Sequence, residues 1–213
     1  MKKKHEKMGV DFFLETQVEN VKQIQNNYKA FLSNGNEINF DIVIVGIGSF
    51  PTIDFIEKES INIDNGIVVN QYCQSSIDNV YAAGDVANFF HPTYNKYIRL
   101  ESWKHAQDHG IVSGYNLLGY QKSYEEIPWF WSDQYNYNIQ LSGITENFDK
   151  KIIRGSNVEE GIIYIYTKNK KIIGACGIGE GNIISKDIKI AGRLAAKKAV
   201  VDFNLLPNRD FKL

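Results

Sequence analysis

The stretch Val80-Tyr81-Ala82-Ala83-Gly84-Asp85-Val86-Ala87 constrains this chain more than any other. A short apolar run ends in a glycine and then a carboxylate, the order expected where a strand stops at the mouth of a sheet. In open α/β sheets, ligands bind outside the carboxyl ends of the strands. Gly84 leaves room there, and Asp85 can accept hydrogen bonds from sugar or ribityl hydroxyls. The same residues also suit a strand closed by an aspartate-stabilised turn with no ligand, and a single short motif does not separate the two readings.

A second apolar run, Asp41-Ile42-Val43-Ile44-Val45, reads as a strand buried on both faces, as central parallel strands are, and it ends at Gly46-Ile47-Gly48. Ahead of it, residues 10–14, 16–24 and 28–32 read as strands with a polar break at 25–27. Asn34-Gly35 supplies a hairpin turn before Ile38 and Phe40. Residues 52–58 suit one or two helical turns with Asp54 near the start. Asn65-Gly66 turns the chain into Ile67-Val68-Val69. Residues 101–118 read as a helix whose packed face is Trp103, Ala106, Gly110, Gly114 and Leu117. Its two glycines each weaken an isolated helix by about 1 kcal/mol relative to Ala, so a closely approaching neighbour is expected. Beyond residue 135 the pattern changes to short strands at 138–143, 150–154, 161–167 and 171–177, with a turn at Asn169. A helix follows, with Ile184, Ile188, Ala191, Leu194 and Ala195 as its stripe and Ser185 as its N-cap.

Composition narrows the function classes. The chain has 213 residues, with Lys+Arg 24 against Asp+Glu 25 and a net charge of −1, which lacks the basic surplus of a nucleic-acid binder. Lys2-Lys3-Lys4, with His5 and Lys7, reads as a solvated terminus or helix end. At 43% hydrophobic and 23% charged residues, disorder is excluded. No window approaches the roughly 18 to 20 apolar residues that span a bilayer, and no apolar secretory stretch follows the basic start. Cys73 and Cys176 form neither a CxxC pair nor a zinc cluster; two free thiols suit a reducing, cytoplasmic setting. His105 and His109 have the i, i+4 spacing of metal ligands but no evident third partner, so no metal site is assigned. Trp103 and Trp131 suit core or interface packing on composition alone.

Three motifs, in order, carry a resemblance. Residues 80–87 resemble the second flavin-binding motif of the FAD-dependent pyridine nucleotide–disulfide reductase superfamily. The segment Ile98-Arg99-Leu100-Glu101-Ser102-Trp103-Lys104-His105-Ala106-Gln107-Asp108-His109-Gly110 is similar to the ferredoxin reductase branch, that of the putidaredoxin and aromatic-ring dioxygenase reductases. Ile127-Pro128-Trp129-Phe130-Trp131-Ser132-Asp133-Gln134 resembles that branch's Pro-Trp-aromatic-Trp-Ser-Asp-Gln signature. Residues 41–51 followed by 65–69 are similar to the linker returning from the NAD domain to the FAD domain. The resemblance covers essentially the whole chain, while the chain covers only part of the family pattern. Gly46-Ile47-Gly48 is followed by Ser49, Phe50 and Pro51, so the pyrophosphate-binding GxGxxG turn is absent.

The resemblance implies an α/β chain, a partial FAD/NAD(P)-binding Rossmann-like region followed by a small α+β C-terminal domain. Residues 1–45 would end the NAD(P)-binding domain, 46–134 would form the C-terminal part of the FAD-binding domain, and 135–213 the reductase C-terminal domain. It implies Asp85 on the FAD ribityl chain with Gly84 and Val86 flanking it, Trp103 and its neighbour Ser102 along the flavin, and Glu101 toward the nicotinamide carboxamide. Trp131 would lie near the stacked rings, and Gly46 where the backbone passes NAD. His109 departs from the family's usual Gln. The implied activity is electron transfer from NAD(P)H through FAD to an iron–sulfur ferredoxin or rubredoxin, with no side chain as general acid or base. A chain without the pyrophosphate turn is expected to be inactive alone and to need an N-terminal partner fragment, and its unpaired faces would favour homo-oligomers. The alternative is a non-catalytic remnant, or a protein-interaction module like the apoptosis-inducing factors, since fold does not fix function. Neither reading involves nucleic acid or a membrane.

Overall fold

The computed structural model describes residues 1–25, 27–57, 60–211 and 213. Asn26 in the expected break, Lys58 at the end of the expected helical turns, and Lys212 in the C-terminal tail lie outside the described residues. The chain divides into two compact units, Met1–Ser49 and Phe50–Leu213.

In the first unit a short helix, α1 (Lys2–Lys7), precedes an antiparallel meander of β1 (Val18–Ile24), β2 (Asn27–Leu32) and β3 (Glu37–Phe40). The hairpin at Asn34-Gly35 forms as the sequence implies: Gly35 has φ +83°, and the Asn34 side chain accepts the Asn36 amide at 3.0 Å. Ala30 and Leu32 are the buried side chains of this sheet, and Tyr28 stacks on Phe40. Residues 10–14, expected as a strand, are irregular.

The run 41–45 corrects the expectation of a buried central strand. It is irregular, and Ile42, Val43, Ile44 and Val45 are 81%, 62%, 92% and 70% exposed. A central strand needs a paired neighbour on each edge, and among the described residues none pairs with it. Residues 52–57 form only a turn closed by the Ile56 amide on the Ile53 carbonyl, in place of the expected helix.

The second unit holds two cores. Around one lie β4 (Ile67–Val69), β5 (Ala87–His91) and β6 (Lys96–Ile98), with β4 parallel to β5 and β6 antiparallel to it, and α2 (Trp103–Leu117) packed beside them. Val69, Cys73, Ala87, Phe89, Val112 and Tyr124 are the heart of this core. The expected strand 80–83 is not regular. It carries one bridge, Tyr81 to Gln74, and backbone bonds from Ser75 to Val80 and from Ala82 to Cys73 on one edge, so its other edge has no partner strand among the described residues.

α2 also corrects the expectation about its packed face. The buried residues are His105, His109, Val112, Ser113 and Asn116, whereas Trp103 is 66% exposed, Leu117 is 61% exposed, and a Cβ at Gly110 or Gly114 would meet nothing within 4 Å. Of the small-residue stripe, Ala106 lies against Gly84, while Gly110 and Gly114 face open space.

The other core lies under a five-stranded antiparallel sheet in the order β7 (Trp129–Gln134), β8 (Tyr137–Gly143), β11 (Lys171–Glu180), β10 (Ile162–Lys168), β9 (Lys150–Arg154). Its alternating isoleucines meet α3 (Ser185–Ala196), whose Ile184, Ile188, Ala191 and Ala195 are buried as the stripe implies. Ser185 does not cap α3; it is the first helical residue, and its hydroxyl accepts from Gln140 Nε2 instead. β7 pairs with β8 throughout its length, so this sheet starts at Trp129, ahead of the composition shift at 135.

Arg154 closes this domain. Its guanidinium is 2% exposed and pairs Nε with Asp187 at 2.8 Å. Nη1 donates to the Leu206 and Asn208 carbonyls, and Nη2 to those of Arg209 and Phe211. All the N–H groups of the fork are thereby used, and the C-terminal tail is held against β9 and α3. Breaking a buried pair by removing one partner costs about 3–5 kcal/mol. Arg154→Leu is therefore expected to release residues 203–213 to carboxypeptidase, followed by mass spectrometry; a tail as protected as in the parent would contradict this.

Candidate functional site

The expected site residues of the second unit form one connected set. Gly84–Val86 is a single 3-10 turn, entered through Gly84 at φ +74°, a conformation that costs glycine little and other residues much. Gly84 is buried, and a Cβ there would lie 3.4 Å from the Ala106 side chain of α2. Asp85 at the turn's apex is exposed. Beneath it, Gly66 has φ +124°, and a Cβ there would stand 2.5 Å from the Val86 carbonyl and 3.1 Å from Arg99. The Asn65-Gly66 turn thus makes the space in which Val86 and Arg99 sit.

Arg99 was not among the expected residues, yet it joins the pieces. Its Nη1 donates to the Asp85 carbonyl at 3.0 Å and to Glu101 Oε1 at 2.6 Å. Its i, i+2 spacing from Glu101 on an extended segment was the available signal, because such residues share a face. Ser102 serves as the N-cap of α2, its hydroxyl accepting the His105 amide. That role explains the serine without a ligand. Trp103, the first helical residue, meets Trp131 of β7 edge-to-face, with centroids 6.2 Å apart, and Trp131 stacks on Trp129 at 4.9 Å. Gly46 lies in the other unit, exposed, with nothing within 4 Å of a Cβ placed on it.

Behind the turn, Phe89 is surrounded by His91, His105, His109 and Tyr124, with centroids 4.8–5.9 Å away. His105 Nδ1 pairs with the Tyr124 hydroxyl at 3.0 Å, and His91 Nε2 with the Glu126 carbonyl at 3.1 Å. Among the described residues no three His, Cys, Asp or Glu side chains converge so as to hold a metal ion. Burial, reinforced by neighbouring His105, lowers His109 to about 3. Burial likewise lowers His105 to about 4 against the opposing Gly84 backbone and Asp108 carboxylate, and it lowers His91 against its bond to the Glu126 carbonyl. Cys73, wholly buried, has its thiol pushed up to about 12 by burial, which makes it a packing residue rather than a nucleophile.

A glycine-entered turn with an exposed carboxylate leads into β5, which runs parallel to β4 beside α2, a mixed α/β arrangement. Residues 1–110 match the family described as pyridine nucleotide-disulphide oxidoreductase, and residues 129–213 match the reductase C-terminal family; the chain belongs to the pyridine nucleotide-disulphide oxidoreductase family. It is 30% identical over 199 residues to the anthranilate 1,2-dioxygenase system ferredoxin–NAD(+) reductase component of Burkholderia cepacia, covering 93% of this chain and 48% of that protein. The crystal structure of the ferredoxin reductase for the CYP199A2 system of Rhodopseudomonas palustris superposes with a TM-score of 0.89 at 26% identity, over 99% of this chain and 52% of that one. The putidaredoxin reductase–putidaredoxin covalent complex gives 0.88 at 26% identity, over 98% and 50%. The chain spans about half the length of the relatives it matches.

Members of this family use FAD and NAD(P)H. The features present that suit the ribityl and ring portion of FAD are an exposed carboxylate on a hydrogen-bonded turn and the exposed indole of Trp103. The sequence offers no GxGxxG turn for the pyrophosphate, so the fit is to one half of the cofactor.

The buried histidines also set an acid limit. Their folded values lie below the roughly 6.5 of an unfolded histidine. Below pH 6.5 the unfolded chain therefore takes up protons that the folded chain refuses. Stability is complete above that pH and is lost as pH falls toward 4, by at most about 1.4 kcal/mol per pH unit for each histidine. The urea midpoint is expected to drop between pH 7 and 5; a flat midpoint over that interval would contradict the burial of neutral imidazoles.

Proposed function

We propose that the chain supplies the ribityl- and ring-facing side of the flavin site, together with the C-terminal domain, of an NAD(P)H-dependent reductase that passes electrons through FAD to an iron–sulfur ferredoxin or a rubredoxin. The observation that carries this reading is the joining of the Gly84–Val86 turn, Glu101, Trp103 and Trp131 through Arg99 and the indole pair. Residues 1–45 are read as the end of the NAD(P)-binding domain and the following stretch as part of the FAD-binding domain. The start of the C-terminal domain is moved to Trp129, where its sheet begins.

When bound, FAD supplies hydride acceptance and single-electron release. The chain's own residues bind and orient. Asp85 accepts hydrogen bonds from ribityl hydroxyls. Trp103 and Trp131 offer apolar faces that keep water from the ring edge. Arg99 holds Glu101 beside the turn, and Glu101 is the residue that would approach the nicotinamide carboxamide. No proton need be moved by a side chain. The pyrophosphate seat would come from a segment or chain carrying GxGxxG. Two thiols outside any disulfide suit a cytoplasmic location, and no helix among the described residues is long and apolar enough to cross a membrane.

In the enzyme reconstituted with a GxGxxG-bearing fragment, NADH should drive reduction of a ferredoxin. Asp85→Ala should weaken FAD retention roughly ten- to hundredfold, because a hydrogen bond to a charged acceptor contributes about 1.5 to 3 kcal/mol. Flavin content unchanged after dialysis would remove Asp85 from the site. A reconstituted protein that binds FAD yet passes no electrons from NADH to any ferredoxin or rubredoxin would favour the non-catalytic reading.

A further inference from the structure

The three histidines around Phe89 take no part in the chemistry above, yet one of them reaches the turn. The Gly84 amide donates to His109 Nδ1 at 3.2 Å, wholly inside the protein. A ring nitrogen that accepts from an amide has a lone pair, so the proton of the neutral imidazole sits on Nε2. The buried Nε2 of His109 has no partner, and the contacts fit only this tautomer, since a proton on Nδ1 would face the Gly84 N–H directly.

The bond falls at the position that decides where Asp85 points. Gly84 carries the left-handed φ that starts the turn, and its amide is the first backbone group of Gly84–Val86. On the far side, Arg99 donates to the Asp85 carbonyl. The turn is thus gripped by an acceptor from α2 and a donor from the segment after β6. Ala106, one helical turn before His109, has its Cβ 3.4 Å from where a Cβ on Gly84 would stand, in ordinary van der Waals contact. His109 is itself fixed by ring contacts to Phe89, His105 and Tyr124, while the Cys73 thiol points at its carbonyl.

We propose that His109 is a positioning residue: its neutral Nε2–H tautomer accepts the Gly84 amide and thereby holds the turn that presents Asp85. The purpose of that positioning rests on the flavin reading of Asp85; the hydrogen bond and the tautomer do not. An asparagine side chain at 109 places a carbonyl oxygen near the position of Nδ1 and keeps the acceptor, whereas leucine fills the space and removes it.

The test uses the 213-residue chain with ¹⁵N labelling. Long-range ¹H–¹⁵N correlation at neutral pH should show His109 neutral and protonated on Nε2. The Gly84 amide should exchange slowly in the parent, within a few-fold of that in His109→Asn, and about tenfold or more faster in His109→Leu, with Phe89 in β5 affected less. Protonation of His109 on Nδ1, or Gly84 exchange equal in the parent and His109→Leu, would overturn the proposal. Should His109→Leu fail to fold, the tautomer and the His109→Asn comparison still decide. Gly84 protection that follows the series supports the positioning role even if flavin retention by the reconstituted enzyme does not depend on Asp85, an outcome that would remove only the flavin reading.

Discussion

Backbone N–H and C=O groups inside a sheet have to be paired, and the whole character of this chain follows from where that requirement is met. In the five-stranded sheet each inner strand has both neighbours, and the elements form where their apolar periodicity puts them. At 41–45 and 80–83 the side chains are those of central strands, but the backbone finds a partner on one edge or none. The result is an ordered C-terminal domain joined to a half-open cofactor region. Ile44 is 92% exposed, and among the described residues no strand pairs with its run. Such surfaces promote association with other strands.

Within the half-open region, rigidity is local. Gly66 and Gly84 adopt conformations or spacings that a side chain would obstruct. Arg99 and His109 then pin the short turn from two sides, and Ser102 starts α2 in register with it. Asp85 is therefore set on a backbone held by the chain's own hydrogen bonds. The C-terminal domain achieves the same fixity differently, through one buried guanidinium that satisfies the carbonyls of its own tail.

Much of this was legible in the residues. The isoleucine stripe of α3, the strands of the C-terminal sheet, and the turns at Asn34-Gly35 and Asn65-Gly66 follow from periodicity and turn chemistry, because their partners lie within the same chain. The sequence misled at 41–45, 80–83 and the packed face of α2 for one shared reason: local pattern reports what a segment is built to meet, not whether it meets it. The small stripe of α2 looked like the buried face, while His105, His109, Val112, Ser113 and Asn116, four of them polar, are the buried residues. By motif, Asp85, Trp103 and Trp131 were among the residues singled out. The roles of Arg99 and His109 were not read: the bond of His109 is to a backbone amide that carries no side-chain signature, and for Arg99 the only signal was its i, i+2 spacing from Glu101.

The central claim is that this chain holds one side of a flavin site whose pyrophosphate seat lies elsewhere. The visible absorption spectrum of the purified protein tests it most directly, recorded first for the chain alone after incubation with FAD and gel filtration, then for an equimolar mixture with a GxGxxG-bearing fragment. The account predicts a colourless protein alone and a flavin spectrum, bleached by NADH, in the mixture. Stoichiometric FAD retained by the chain alone, confirmed by mass, would contradict it.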